Sequence, residues 1–189
     1  VLGAAIATMA LAHAVMVAVM VMTPLHMRHG GADLDVIGLT ISGHVLGMFG
    51  FSPLVGIASD RFGAARVMVA GAGVLVAAAA LSGGAHQGAS PRIAAGLLLL
   101  GVGWSLATVA SASLLAGEAP AADRTQVQGA GDMVMGVTAA AAGALAGVVM
   151  AVSSFALLNA FAASLALAAG ATAWSAMRLR DVTNDTNAA

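Results

Sequence analysis

Long apolar runs separated by short polar stretches organise this chain. A helix needs about 20 mostly apolar residues to cross roughly 30 Å of hydrocarbon, and six stretches qualify. The first is expected from Val1 to Met22, stopped by Thr23-Pro24, and the second from Val36 to Ala58 with Asp33 or Asp35 as its cap. The third covers Val67 to Gly84. The fourth opens on Ser90-Pro91, an N-cap residue followed by proline at the first helical position, and continues to Leu115. The fifth starts after Pro120, where Asp123 and Gln126 have the spacing of a capping box, and runs to Met150. The sixth follows the short turn Ser153-Ser154 and ends near Met177. The pattern predicts an all-α integral membrane bundle over residues 1–180, followed by a polar, aperiodic tail, 181–189, expected to be disordered.

Composition agrees. Of 189 residues, 60% are hydrophobic and only 8% charged, with no lysine, where a soluble domain carries about a quarter charged residues. The net charge of -1 offers no basic face for nucleic acid. The absence of cysteine excludes disulfides and thiolate metal sites. The chain opens apolar at Val1-Leu2-Gly3 with no basic region ahead of it, which is not a signal peptide and is expected of a segment cut from a longer protein.

Arginine sets the expected orientation, because cytoplasmic loops collect positive charge. Arg61, Arg66, Arg124, Arg178 and Arg180 fall on one side of the six spans, and Arg28 and Arg92 on the other. The turn between the second and third spans, the loop between the fourth and fifth and the C-terminus are therefore expected in the cytoplasm, the membrane being the plasma (inner) membrane.

The turn Gly56-Ile57-Ala58-Ser59-Asp60-Arg61-Phe62-Gly63-Ala64-Ala65-Arg66 is the one specific motif. Its Gly56-x-x-x-Asp60-Arg61-x-Gly63 resembles the loop signature of the major facilitator superfamily, found between the second and third helices of each six-helix half. It departs from that signature at Ala58, Ala64 and Ala65, with Arg66 one place late. This weakening is similar to that of C-terminal halves. The flanks, Met22-Thr23-Pro24-Leu25-His26-Met27, His44-Val45-Leu46-Gly47-Met48 and Val127-Gln128-Gly129, resemble actinobacterial members of unassigned substrate. The resemblance implies one half of a twelve-helix fold, an N-terminal six-helix half as partner, and secondary active transport of a small molecule by alternating access, with proton-coupled export as its mode. It also implies that Gly56, Asp60, Arg61, Gly63 and Arg66 latch one access state. Read on its own chemistry, Gly63 permits a tight reversal, Asp60 can approach a helix N-terminus, and the arginines complement carbonyl ends and anionic lipid.

Asp132 is the only formally charged residue inside the six spans, roughly 13 Å into its helix at about 1.5 Å per residue. A carboxylate there must be paired, protonated or wetted, which makes it a candidate for proton coupling or substrate contact, or else half of a structural pair. Gln128 and Gly136 lie one turn either side of it. His13 and His44 fall near the bilayer midplane, where transporter sites sit. Each can equally be a hydrogen-bonded packing residue. The three together carry no metal-ligand spacing, and nothing implies a cofactor. Met9, His13, Met16 and Met20 make one helical stripe, suited to an adaptable cavity or to a core. Trp104 and Asn159 are weaker candidates. Gly43 with Gly47, and Gly143 with Gly147, have the spacing of close helix contacts.

Other function classes fit less well. A six-helix intramembrane protease needs a serine nucleophile with histidine on a neighbouring helix, and Ile41-Ser42-Gly43-His44 offers both on one helix. No channel filter or charged ring is present. A non-transporting membrane scaffold remains as the alternative.

Overall fold

The computed structural model describes the backbone of residues 1–188, and the side chains of all but 183–185, 187 and 188. Its elements are α1 (Leu2–His29), α2 (Leu34–Phe49), α3 (Ser52–Phe62), α4 (Ala64–Gly83), α5 (Ser90–Glu118), α6 (Arg124–Val152) and α7 (Phe155–Ala188). Taking α2 and α3 together, six helical segments are long and apolar enough to cross a membrane. The architecture is all-α, with no strand among the described residues.

Four boundaries differ from those expected. α1 does not stop at Pro24 but carries it inside and continues to His29. Ending a helix at that depth would strand several backbone groups in hydrocarbon, whereas proline frees only one carbonyl. The second span is two helices, broken at Gly50-Phe51 with Pro53 in the first turn of α3. Pro53 cannot donate to the Phe49 carbonyl one turn back, and beside it the Ser52 hydroxyl donates to the Met48 carbonyl at 3.1 Å. α7 runs past Met177, held there by the ion pair between Arg180 Nε and Glu118 Oε1 at 3.0 Å. The tail expected over 181–189 is helical as far as Ala188; Ala189 and the side chains of 183–185, 187 and 188 lie outside the described residues.

The expected caps also change. Ala89, not Ser90, precedes α5, and neither Asp33 nor Asp123 makes a side-chain cap bond. Asp123 already has near-helical angles, φ -106 and ψ -3, rather than the extended conformation that lets a cap side chain reach back. Ser154 does cap: its Oγ accepts from the Leu157 N–H at 3.2 Å.

α1 and α5 form the centre. α1 packs against α5, α6 and α7, while α5 also packs against α2, α3 and α4. The central seams are backbone on backbone. A Cβ added at Gly47 would stand 2.6 Å from the Leu98 carbonyl oxygen, one at Gly101 would overlap the His44 carbonyl, and one at Gly71 would stand 2.6 Å from the Ala107 nitrogen. The partner expected for Gly47 behaves differently, since a Cβ at Gly43 would meet nothing within 4 Å. Gly143 and Gly147 make only ordinary contacts, with Val17 and Met22 side chains.

Burial is uneven among the spans. Over their most apolar windows, 56% of residues are buried in α1 and in α5, but 28% in α2–α3 and 17% in α6. The two flanking spans therefore present open apolar faces, including Val45 on α2 and Val137 on α6.

Candidate functional site

The charged turn closes on a single residue. Gly63 ends α3 and begins α4 with φ +89 and ψ 131, a conformation that side-chain-bearing residues avoid. Gly63→Val is expected to cost about 1–3 kcal/mol and lower the melting temperature, a strain test in which an unchanged melting point would count against the turn geometry. Arg66 reaches back to the end of α3, its guanidinium donating to the Phe62 carbonyl at 3.3 Å. Arg61 stacks over the Phe62 ring, 5.6 Å from its centre. Asp60 makes no hydrogen bond or ion pair among the described residues. It lines a cleft of about 260 Å³ with Glu118, the last residue of α5, and Arg180, in the late part of α7. Gly56 faces open space on α3. The turn thus gathers Asp60, Glu118, Arg66 and Arg180 at one end of the bundle, although the Glu118–Arg180 pair is partly exposed and contributes at most about 1 kcal/mol.

A second constellation sits at mid-depth. The Trp104 indole Nε1 of α5 donates to His13 Nδ1 of α1 at 2.8 Å. Phe49, the last residue of α2, meets Trp104 edge to face with ring centres 5.9 Å apart. All three lie near the middle of their spans, Leu2–His29, Ser90–Glu118 and Leu34–Phe62. Trp104 is buried, His13 is half-buried and Phe49 is 59% exposed, so the cluster borders the open side of the bundle. Trp104, ranked low from sequence, becomes the central group. Phe49 was missed, and the signal that could have found it was Gly50 with Pro53, which marks a helix break beside an aromatic residue.

The other mid-membrane candidates separate. His44 is fully buried in the α2–α5 seam, where Nδ1–H donates to the Leu97 carbonyl at 2.9 Å. It is a seam residue, enclosed away from His13. Met9 and Met16 are core residues in different clusters, so the methionine stripe splits between packing and the half-open His13. Asn159 spends its amide on its own helix, donating to the Phe155 carbonyl at 2.9 Å.

Asp132 stays on the open side. Gln128 Nε2 points at the Ala112 carbonyl of α5 at 3.5 Å, and Met135 packs against the cluster that contains Ala110 and Leu114 of α5. Asp132 lies between them on the same stripe, is exposed, and makes no hydrogen bond or ion pair among the described residues. Gly131 stands against Ile6 and Met9, which puts Asp132 about one turn from the level of His13. No group of three His, Cys, Asp or Glu among the described residues could hold a metal, so His13, His44 and Asp132 are not assembled.

The serine and histidine considered for a protease are also apart. Ser42 is exposed and its hydroxyl donates to Gly38 of its own helix at 2.9 Å, while His44 turns into the seam.

The family model described as Major Facilitator Superfamily matches residues 4–189. Among curated relatives, the chain is 36% identical over 159 residues to the "Uncharacterized MFS-type transporter YddS" of Bacillus subtilis (strain 168), covering 84% of this chain and 36% of that protein. It is 34% identical over 159 residues to "Uncharacterized MFS-type transporter YdeG" of the same organism, covering 84% and 37%. The "Riboflavin transporter RfnT" of Brucella anthropi is 32% identical over 149 residues, covering 78% and 36%. The chain thus spans little more than a third of the length of the curated relatives it matches.

Proposed function

Because the chain belongs to the major facilitator superfamily, we propose that it is the C-terminal six-helix half of a secondary transporter that moves a small molecule by alternating access. An N-terminal six-helix half of the same protein is its partner. The observation that carries this is the uneven burial: α2–α3 and α6, the two flanking spans, are the least covered, and their open residues include large apolar side chains and, at mid-span, Asp132, which is costly to leave in lipid. A second half laid across them would enclose a space between halves at mid-depth. A scaffold role explains the open faces less well, because it gives no reason for His13, Trp104 and Phe49 to converge there.

The substrate is read as a small molecule with a flat ring. Phe49 offers an exposed aromatic surface, Trp104 stands behind it, and His13 keeps Nε2 free of partners among the described residues. Riboflavin, the molecule in the name of the Brucella anthropi relative, has that character. Proton-coupled export is the mode, with His13 and Asp132 as the titratable groups. On this reading the α3–α4 turn, the α5–α6 connection and the C-terminus lie on the cytoplasmic side of the plasma membrane, and the bias of five arginines against two supports it.

The test is the complete protein in liposomes with an imposed pH gradient and riboflavin as the probe. Gradient-driven movement is expected, lost in Trp104→Ala. Movement that ignores the gradient would rule out proton coupling, and movement unaffected by Trp104→Ala would remove the mid-depth site.

A further inference from the structure

We propose that His13 is a proton-binding site locked by Trp104, such that proton uptake and the His13–Trp104 hydrogen bond exclude each other. This deepens the reading of the mid-depth site given above. An indole N–H can only donate, so the 2.8 Å contact requires a lone pair on His13 Nδ1. The neutral ring then carries its hydrogen on Nε2, and Nδ1 is its only basic nitrogen. A proton delivered by water must bond to Nδ1. When it does, the Nε1–H···Nδ1 bond breaks, the imidazolium has hydrogens on both nitrogens, and the indole must turn towards another acceptor.

That movement has somewhere to go. Phe49 rests edge-on against Trp104 at the end of α2, and Ser105, next in the chain, faces Ser52 with oxygens 3.4 Å apart. Phe49 and Ser52 flank the α2–α3 break, where the backbone ladder is already interrupted by Pro53. A turn of the indole therefore acts on the break in the second span.

No other charge competes at this level. On the helices packed against α1, and among residues whose side chains are described, Arg66 lies in the first turn of α4, Asp35 in the first turn of α2, Arg124 at the start of α6, Arg92 and Glu118 near the ends of α5, and Arg178, Arg180 and Asp181 in the late part of α7. α6 brings Asp132, about one turn away towards the start of α1, and α2 brings His44, which is enclosed and committed to Leu97.

The chain has two tryptophans, Trp104 and Trp174. In the complete protein, with Trp104 kept as the sole tryptophan, emission is recorded between about pH 5 and pH 8. A single-proton transition is expected, because imidazolium quenches an adjacent indole. It should vanish in His13→Asn, which offers an acceptor that cannot titrate, with His13→Gln as the second variant if asparagine prevents accumulation. It should survive in Asp132→Asn. A flat parent profile, a transition that persists without His13, or one abolished by Asp132→Asn would each overturn the proposal. The optical readout is independent of transport. A pH-dependent Trp104 emission in a protein that ignores the pH gradient would leave the lock standing and defeat the coupling reading alone.

Discussion

Replacing Gly101 by leucine is expected to unseat α2 from α5 and to destabilise the protein by about 3 kcal/mol or more, over a hundredfold in the folding equilibrium. The first added carbon already overlaps the His44 carbonyl, and the facing Gly47 leaves no side chain that could move aside. Because the seam also carries the His44–Leu97 hydrogen bond, opening it would leave the buried imidazole N–H of His44 without its partner in hydrocarbon. Gly43→Leu is the matched control. It adds the same side chain to α2, the other helix of the pair, where nothing lies within 4 Å, and its melting temperature in detergent should stay near that of the parent. Equal losses at the two positions would mean that the seam is not where the structure puts it.

The second large effect is expected at Asp132. In the complete protein Asp132→Asn should reduce proton-driven transport more than about tenfold while leaving membrane insertion and melting temperature intact, since the residue is exposed and unpaired within this half. A carboxylate enclosed between two halves is costly unless it exchanges a proton or meets a cation, and asparagine can do neither. Transport at the parent rate would remove Asp132 from the mechanism. A large loss of melting temperature would make it half of a structural pair instead.

Much of the fold was legible because hydrocarbon imposes a length and a polarity on each span. The six spans follow from that, and the reversal at Gly63 from a glycine set between charged residues. The break in the second span was not, because Phe49 to Leu54 is apolar enough to continue the run, and hydropathy cannot see that Pro53 lacks a donor. Nor could a spacing of four separate Gly43 from Gly47. Both helix faces are apolar, so periodicity does not say which one meets α5. The mid-depth cluster was harder still. His13 and Trp104 are 91 residues apart in the chain, and only the packing of α1 on α5 fixes the register that joins them.

The central claim is that the open sides of α2 and α6 are covered by the other half of the protein. The chain has no cysteine, so spin labels can be placed singly at Val45, Gly136 and Leu167 of the complete protein, in a background free of cysteines elsewhere. Val45 is 45% exposed, a side chain at Gly136 meets nothing within 4 Å, and Leu167 on α7 is 64% exposed. Collision rates with oxygen dissolved in the bilayer should be high at Leu167 and several-fold lower at Val45 and Gly136. Equal rates at all three would mean that these faces look onto lipid and that no second half lies against them.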